Sequence, residues 1–298
     1  MVLFNRNGRV ENGKTIKMNK ASRRGIFPRG MRKKRLLQLL GLLVFLTAAI
    51  HVVSMLTLDR SIEYTEIDYR SPAVRAELDG YRVAFVTDTH ALPREELQKV
   101  VDEISRREVD LLLLGGDFPN DDAVWRSMET LSEAKTADGI YGVEGNHDEW
   151  EDLYGAMQTY GMVPLDNEGV EIRPGLYLAG VQDLWNRRPD VQKAVQDAQQ
   201  DDFVLLLCHN ADVSMQQDLS AVDLMLSGHT HAGQITLFGL WKPALNNVSA
   251  YGYRFGGGWT ENDAGNDIYV SRGTWTAETV PRIFARPEVT LLTLRSGG

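Results

Sequence analysis

The stretch Leu224–Gln234, LMLSGHTHAGQ, runs from an apolar segment into a polar turn that carries two of the chain's six histidines. Val222–Leu226 has the length and composition of a buried strand, and Ser227-Gly228 ends it. His229 and His231 follow, two positions apart, a spacing that puts both side chains on one side of an extended chain.

The same arrangement recurs upstream. Arg82–Thr87 is an apolar run ending in Asp88-Thr89-His90, and Leu111–Leu114 ends in Gly115-Gly116-Asp117. Gly139–Val143 ends in Glu144-Gly145-Asn146-His147-Asp148, and Phe203–Leu207 ends in Cys208-His209-Asn210. Five of the six histidines fall in these clusters; the sixth, His51, lies in an apolar segment near the N-terminus. Glu95–Arg107 and Asp121–Lys135 have helical spacing, and Pro189–Gln199 reads as a helix with proline near its start. Leu176–Val181, Asp267–Val270 and Val289–Leu294 read as further strands, and residues 238–266 as a long irregular loop. Strand–helix alternation with no repeat argues one α/β domain over 62–298. In such sheets ligands collect beyond the carboxyl ends of the strands, so the five clusters are expected to converge.

Imidazoles, carboxylates and an amide oxygen together suit a pair of divalent cations, with Mn, Fe and Zn all compatible. A carboxylate has two oxygens and can bridge two ions; Asp117 is placed for this, and the glycines before it let backbone pass close by. Each residue alone has a plainer explanation: a turn aspartate, a structurally satisfied histidine, a buried Cys208. The joint occurrence at five strand ends is what points to a site. Trp241, Tyr251, Tyr253, Phe255 and Trp259 could line a groove but read more readily as cover for the core.

In order, DTH (88–90), GGD (115–117), GNHD (145–148), CHN (208–210) and GHTH (228–231) resemble the motifs of the calcineurin-like metallophosphoesterases. The tail, residues 270–294, is similar to that of the exported, membrane-attached bacterial subgroup. The resemblance implies a four-layer α/β/β/α sandwich that hydrolyses phosphomonoesters or phosphodiesters. It implies that Asp88, His90 and His231 hold one metal, that Asn146, His209 and His229 hold a second, and that Asp117 bridges them. It also implies in-line attack on phosphorus by a hydroxide between the ions, with His147 at the leaving-group oxygen and Asp148 orienting it. Pyrophosphatases acting on UDP-2,3-diacylglucosamine share this resemblance and stand as an alternative, as does a non-catalytic metal-binding scaffold. The intact His147 speaks against the scaffold.

The 298 residues contain one cysteine, so no internal disulfide holds the fold. The net charge of -9 is split: residues 1–35 carry twelve Lys/Arg and one acid, which leaves 20 basic and 40 acidic residues beyond them. An acidic main domain is a poor match for nucleic acid, whose phosphates need cationic surface. Leu36–Leu58 has no charged residue and enough length to cross a hydrocarbon core. Its basic N-terminal flank predicts a cytoplasmic, disordered tail over 1–35, a signal anchor over 36–58 and a catalytic domain outside the cell membrane. Thr47-Ala48-Ala49 would also pass as a signal cleavage site, and Ser22-Arg23-Arg24 loosely matches a twin-arginine signal. A domain placed there reaches lipid-linked and cell-envelope phosphate esters. The cytoplasmic location of the UDP-sugar substrate disfavours that alternative. The residues that would bind substrate, and the oligomeric state, are not legible.

Overall fold

A computed structural model describes residues 29–275 and 280–297. The chain divides into two compact units, Met1–Thr47 and Ala48–Gly298. Helix α1 (Arg29–Leu56) begins in the first and ends in the second. By length and composition alone it is long and apolar enough to cross a membrane. The expected disordered tail lies outside the described residues up to 28; Arg29–Arg35 are helical, since Lys and Arg continue a helix readily.

The second unit is built from β1 (Glu63–Ser71), β2 (Arg82–Val86), α2 (Arg94–Arg106), β3 (Leu111–Leu114), α3 (Asp122–Ser132), β4 (Ile140–Gly142), α4 (Trp150–Thr159) and β5 (Val163–Pro164), followed by β6 (Glu168–Arg173), β7 (Leu176–Gly180), α5 (Val191–Ala194), β8 (Phe203–Leu207), β9 (Leu224–Ser227), α6 (Leu245–Val248), β10 (Gly258–Glu261), β11 (Asp267–Val270) and β12 (Glu288–Ser296). Among the described residues these strands form two sheets, ordered β1-β12-β2-β3-β4-β5 and β10-β11-β9-β8-β7-β6.

The period of two along each strand sorts side chains between layers. Val83 and Phe85 of β2 and Leu111 and Leu113 of β3 face the second sheet, where they meet Leu176, Leu178, Leu205 and Leu224. Ala84, Val86, Leu112 and Leu114 point the other way, onto Val100, Ile104, Met128 and Met157 of α2, α3 and α4. The far face of the second sheet, with Tyr177, Ala179, Leu206 and Met225, is covered by Val191 and Ala194 of α5 and by Ala211 and Val213. This is the expected four-layer α/β/β/α sandwich, although the fourth layer is thin. Pro189–Gln199 forms only one α-turn, capped by Asp190 accepting from the Lys193 N–H at 3.0 Å. The expected loop over 238–266 holds α6, a 3-10 turn at Gly252–Phe255 and strand β10. Of its aromatics only Phe255 is buried; Trp241, Tyr251, Tyr253 and Trp259 are exposed, contrary to the core reading.

The second unit starts at Ala48, ahead of the expected residue 62, because the end of α1 belongs to it. The buried carboxylate of Asp59 accepts the Ser54 hydroxyl at 2.7 Å and the backbone N–H groups of Phe284 and Ala285 at 2.9 and 3.2 Å.

Candidate metal centre

Strands β2, β3 and β4 run parallel in one sheet and β8 and β9 in the other, and the bonds of His229 N–H to Asp88 and of His209 Nδ1 to the Gly115 carbonyl join their carboxyl ends at one edge. There the turns bring the predicted residues together. His90 Nε2 lies 3.1 Å from His231 Nε2 and 3.7 Å from Asp117 Oδ2, and His231 Nε2 lies 3.4 Å from Asp88 Oδ1. His209 Nε2 lies 3.3 Å from Asp117 Oδ2. Two overlapping groups result: Asp88, His90, Asp117 and His231, and Asp117, His209 and His229. Asp117 is common to both.

The turns that achieve this are strained. Asp88, His90, Asp117, His229 and His231 all have positive φ, between 40° and 72°, where residues with a Cβ are held only by their surroundings. The surroundings are specific. Asp88 N–H donates to the Gly116 carbonyl and His90 N–H to the Asp117 carbonyl, both at 2.9 Å. The Asp88 carboxylate accepts the His229 N–H at 3.1 Å, and Asp117 Oδ1 accepts the His147 N–H at 2.9 Å. Gly116, at φ 91°, has the Gly145 backbone where a Cβ would sit, and at Gly273 (φ 75°) a Cβ would lie 2.6 Å from that of Asp88.

Electrostatics follow from packing acids and imidazoles out of water. Burial pushes the Asp117 carboxyl up, but His209, His90 and the His147 N–H outweigh it and hold it well below the usual carboxylate range. Burial works against a proton on His209, yet the charges of Asp117 and Asp88 raise it well above the ordinary imidazole value. Burial pulls His90 and His229 down, and pulls His231 down to about 3, with Arg282 adding to the effect. Neutral imidazoles present lone pairs, which is what a cation requires.

The residues fit a metal. Asn146 Oδ1 and His209 Nε2 are buried atoms with no hydrogen-bond partner. Two ring nitrogens 3.1 Å apart beside a carboxylate are a donor set for a positive ion. His209 Nδ1 meets the Gly115 carbonyl at 2.7 Å, and His229 Nε2 meets the Val248 carbonyl at 2.8 Å. A ring whose one nitrogen is fixed this way is oriented for its other nitrogen to bind.

His147 is exposed at the edge of the cluster, its ring 5.6 Å from that of His90. Asp148 does something other than expected. Its carboxylate accepts the N–H groups of Asp117, Phe118 and Gly145 at 2.7–2.8 Å and makes no hydrogen bond to the His147 ring. It ties the Asp117 turn to the Asn146 turn. Burial and the neighbouring Asp117 charge push its carboxyl up.

Three contacts escaped the sequence reading. The Trp185 ring meets His229 edge-on at 4.6 Å, and Asn186 Nδ2 donates to the Asn146 carbonyl at 2.5 Å. Both follow β7, a strand end that the rule used for the other five would have flagged. Arg282, buried, donates to His231 Nδ1 at 3.1 Å and to the carbonyls of Arg272, Ala285 and Trp275 at 2.6–3.0 Å. Nothing in the sequence singles it out. Arg282→Leu leaves three carbonyls unpaired at about 1 kcal/mol or more each, or roughly 3 kcal/mol. For a body of this size that lowers Tm by roughly 6–12 °C in calorimetry. A change under about 2 °C would show that water replaces those bonds freely.

A family profile for calcineurin-like phosphoesterase matches residues 81–233. An uncharacterized metallophosphoesterase of Helicobacter pylori strain J99 is 31% identical over 72% of this chain and 59% of its own length. The uncharacterized metallophosphoesterase YkuE of Bacillus subtilis is 27% identical over 79% of this chain and 86% of its own. A transmembrane protein with metallophosphoesterase domain from Danio rerio is 26% identical over 85% and 62%. The chain thus spans 59% of the length of its Helicobacter pylori relatives.

Proposed function

The chain belongs to the calcineurin-like phosphoesterase family, as a metallophosphoesterase whose Asp/His groups could hold metal, and from that premise we propose that it is a binuclear, membrane-anchored hydrolase of phosphate esters outside the cytoplasm. The observation that carries the reading is the sharing of Asp117 between two ligand groups. Asp88, His90 and His231 would hold one divalent cation, Asn146, His209 and His229 a second, and Asp117 both. Mn, Fe and Zn all suit this donor set. Cations there would supply the chemistry of lowering the pKa of water and neutralising phosphoryl oxygens.

The chain's own residues do the rest. His147, exposed beside the cluster with its N–H fixed on Asp117, is the proton donor for the leaving oxygen. Asp148 is a positioning residue that holds the Asp117 and Asn146 turns in register. Trp185, beside His229 and half exposed, walls one side of the site. The apolar α1 and the basic flank before it support an anchor over 36–58 with the N-terminus inside. The substrate class we favour is a lipid-linked or cell-envelope phosphate ester.

The test uses the full chain in detergent, because Asp59 makes the end of α1 part of the folded body. Hydrolysis of an aryl phosphomonoester and a bis-aryl phosphodiester is measured with Mn and with Zn, beside His147→Ala. Metal-dependent turnover that falls tenfold or more in the variant is expected, since a positioned acid contributes roughly 10²–10⁴. Stoichiometric metal uptake without turnover on either ester would instead favour a scaffold.

A further inference from the structure

Exposed apolar side chains of the folded body are concentrated in one loop. Ile235, Leu237, Phe238, Leu240 and Trp241 are all exposed; Leu240 shows 82% of its surface and Trp241 60%. Single exposed apolar residues need no explanation, but a contiguous run does. The loop is built rather than loose. Leu237 N–H donates to the Trp241 carbonyl at 2.8 Å, Trp241 N–H returns to Leu237 at 3.3 Å, and the Thr236 hydroxyl accepts the Gly239 N–H at 2.8 Å. Its base is pinned by Thr236 N–H on the Ile283 carbonyl and Ile283 N–H on the Gln234 carbonyl, at 3.0 and 2.8 Å.

The loop also touches the end of the apolar helix. The Phe238 ring lies 4.6 Å from His51 and 5.3 Å from Phe284, and His51 lies 4.8 Å from Phe284. His51 is seven residues from Leu58, the last residue of the charge-free segment. The helix itself ends at Leu56, five residues beyond His51, so at 1.5 Å per residue the contact lies about 8 Å from the end of α1, at the boundary of the apolar segment. Phe238, packed on His51, therefore sits beside the end of that segment.

We propose that the loop Ile235–Trp241 is a membrane-docking surface, and that its partner is the bilayer crossed by α1. Leu237, Phe238 and Leu240 enter the acyl boundary and Trp241 sits among the headgroups, where amphipathic rings collect. The loop leaves the metal centre directly, Gln234 being three residues past His231. Docking therefore sets the mouth of the site at the plane of headgroup phosphates, and the substrate class is an amphiphilic phosphate ester resident in that leaflet. The inference rests on the membrane-spanning reading of residues 36–58.

The test places an environment-sensitive nitrobenzoxadiazole probe at Leu240→Cys, with Val44→Cys and Val163→Cys as references. Cys208 is fully buried and does not compete for label. The full chain is reconstituted in phosphatidylcholine–phosphatidylglycerol vesicles carrying a nitroxide lipid. Quenching of roughly twofold or more is expected at 240 and at 44, and none at 163. In addition, Leu240→Asp/Trp241→Asp is expected to slow cleavage of an acylated aryl phosphodiester in vesicles about tenfold, with the water-soluble bis-aryl ester turned over as before. A quenched 44 with a solvent-like 240 overturns the docking surface and leaves the anchor standing. A blue-shifted but unquenched 240 means that protein, a second copy included, covers the loop, and overturns the proposal. No quenching at 44 overturns the spanning helix, and the docking surface with it. Equal vesicle rates in the double variant overturn the assigned substrate class.

Discussion

Asp117→Asn is expected to cut hydrolysis about a thousandfold while the body stays folded. Asp117 is the one side chain common to both ligand groups, with Oδ2 3.3 Å from His209 Nε2 and 3.7 Å from His90 Nε2. Its other oxygen accepts the His147 N–H at 2.9 Å. Asparagine has nearly the same shape and can keep that bond, so the Asn146-His147 turn remains in place. It lacks the negative charge and the second ligand oxygen. Charge neutralisation by bound cations accounts for several kcal/mol of transition-state stabilisation, and each 1.36 kcal/mol is a factor of ten, hence about three orders of magnitude. Metal analysis of the purified variant is expected to fall below the ~2 ions per chain of a two-metal site. An unchanged rate at saturating metal would remove Asp117 from the bridging position.

Asp148→Ala is expected to be the most destabilising change at the site. The carboxylate accepts three backbone N–H groups, from Asp117, Phe118 and Gly145. A buried donor left without partner costs about 1–3 kcal/mol, so three lost bonds amount to roughly 3 kcal/mol or more. The loss also frees the Asp117 turn, whose strained backbone persists only under such restraint, from the Asn146 turn. Urea denaturation is expected to show the stability loss with the slope unchanged, and turnover is expected to fall with it. Asp148→Asn separates the two roles: it retains an acceptor oxygen and should recover part of the stability. If Asp148 instead served only to orient His147, the alanine variant would match His147→Ala in rate and the parent in stability.

The parts of the fold that the sequence made legible are those buried on both faces. Strands β2, β3, β8 and β9 read as near-continuous apolar runs because each lies between two hydrophobic layers. The strands that went unread, β1, β5, β6 and β10, are the four edges of the two sheets. An edge strand such as Glu63–Ser71 is half solvated and carries charges, so its pattern does not stand out from loop. Helix α4 was likewise hidden: Trp150–Thr159 follows the polar Gly145–Asp148 stretch almost directly, and its apolar stripe is only Leu153, Tyr154, Ala156 and Met157. The convergence of the Asp/His cluster was legible because strand ends are where a sheet of this kind concentrates chemistry. The restraints on that cluster were not. Asp148 acts on backbone, and Arg282 arrives from a distant part of the chain; no local spacing announces either.

The attachment through Asp59 bears on what the protein can reach. An enzyme leashed to a membrane by a long Gly/Ser linker sweeps a volume, and its targets can stand at many heights above the surface. Here the end of α1 is followed directly by Asp59, whose carboxylate accepts the Ser54 hydroxyl and the N–H groups of Phe284 and Ala285, with no Gly/Ser linker between. With residues 36–58 in a bilayer, as proposed, so short a connection would confine the reach of the protein to the neighbourhood of that membrane. Its search would then be two-dimensional, over what diffuses laterally in that membrane.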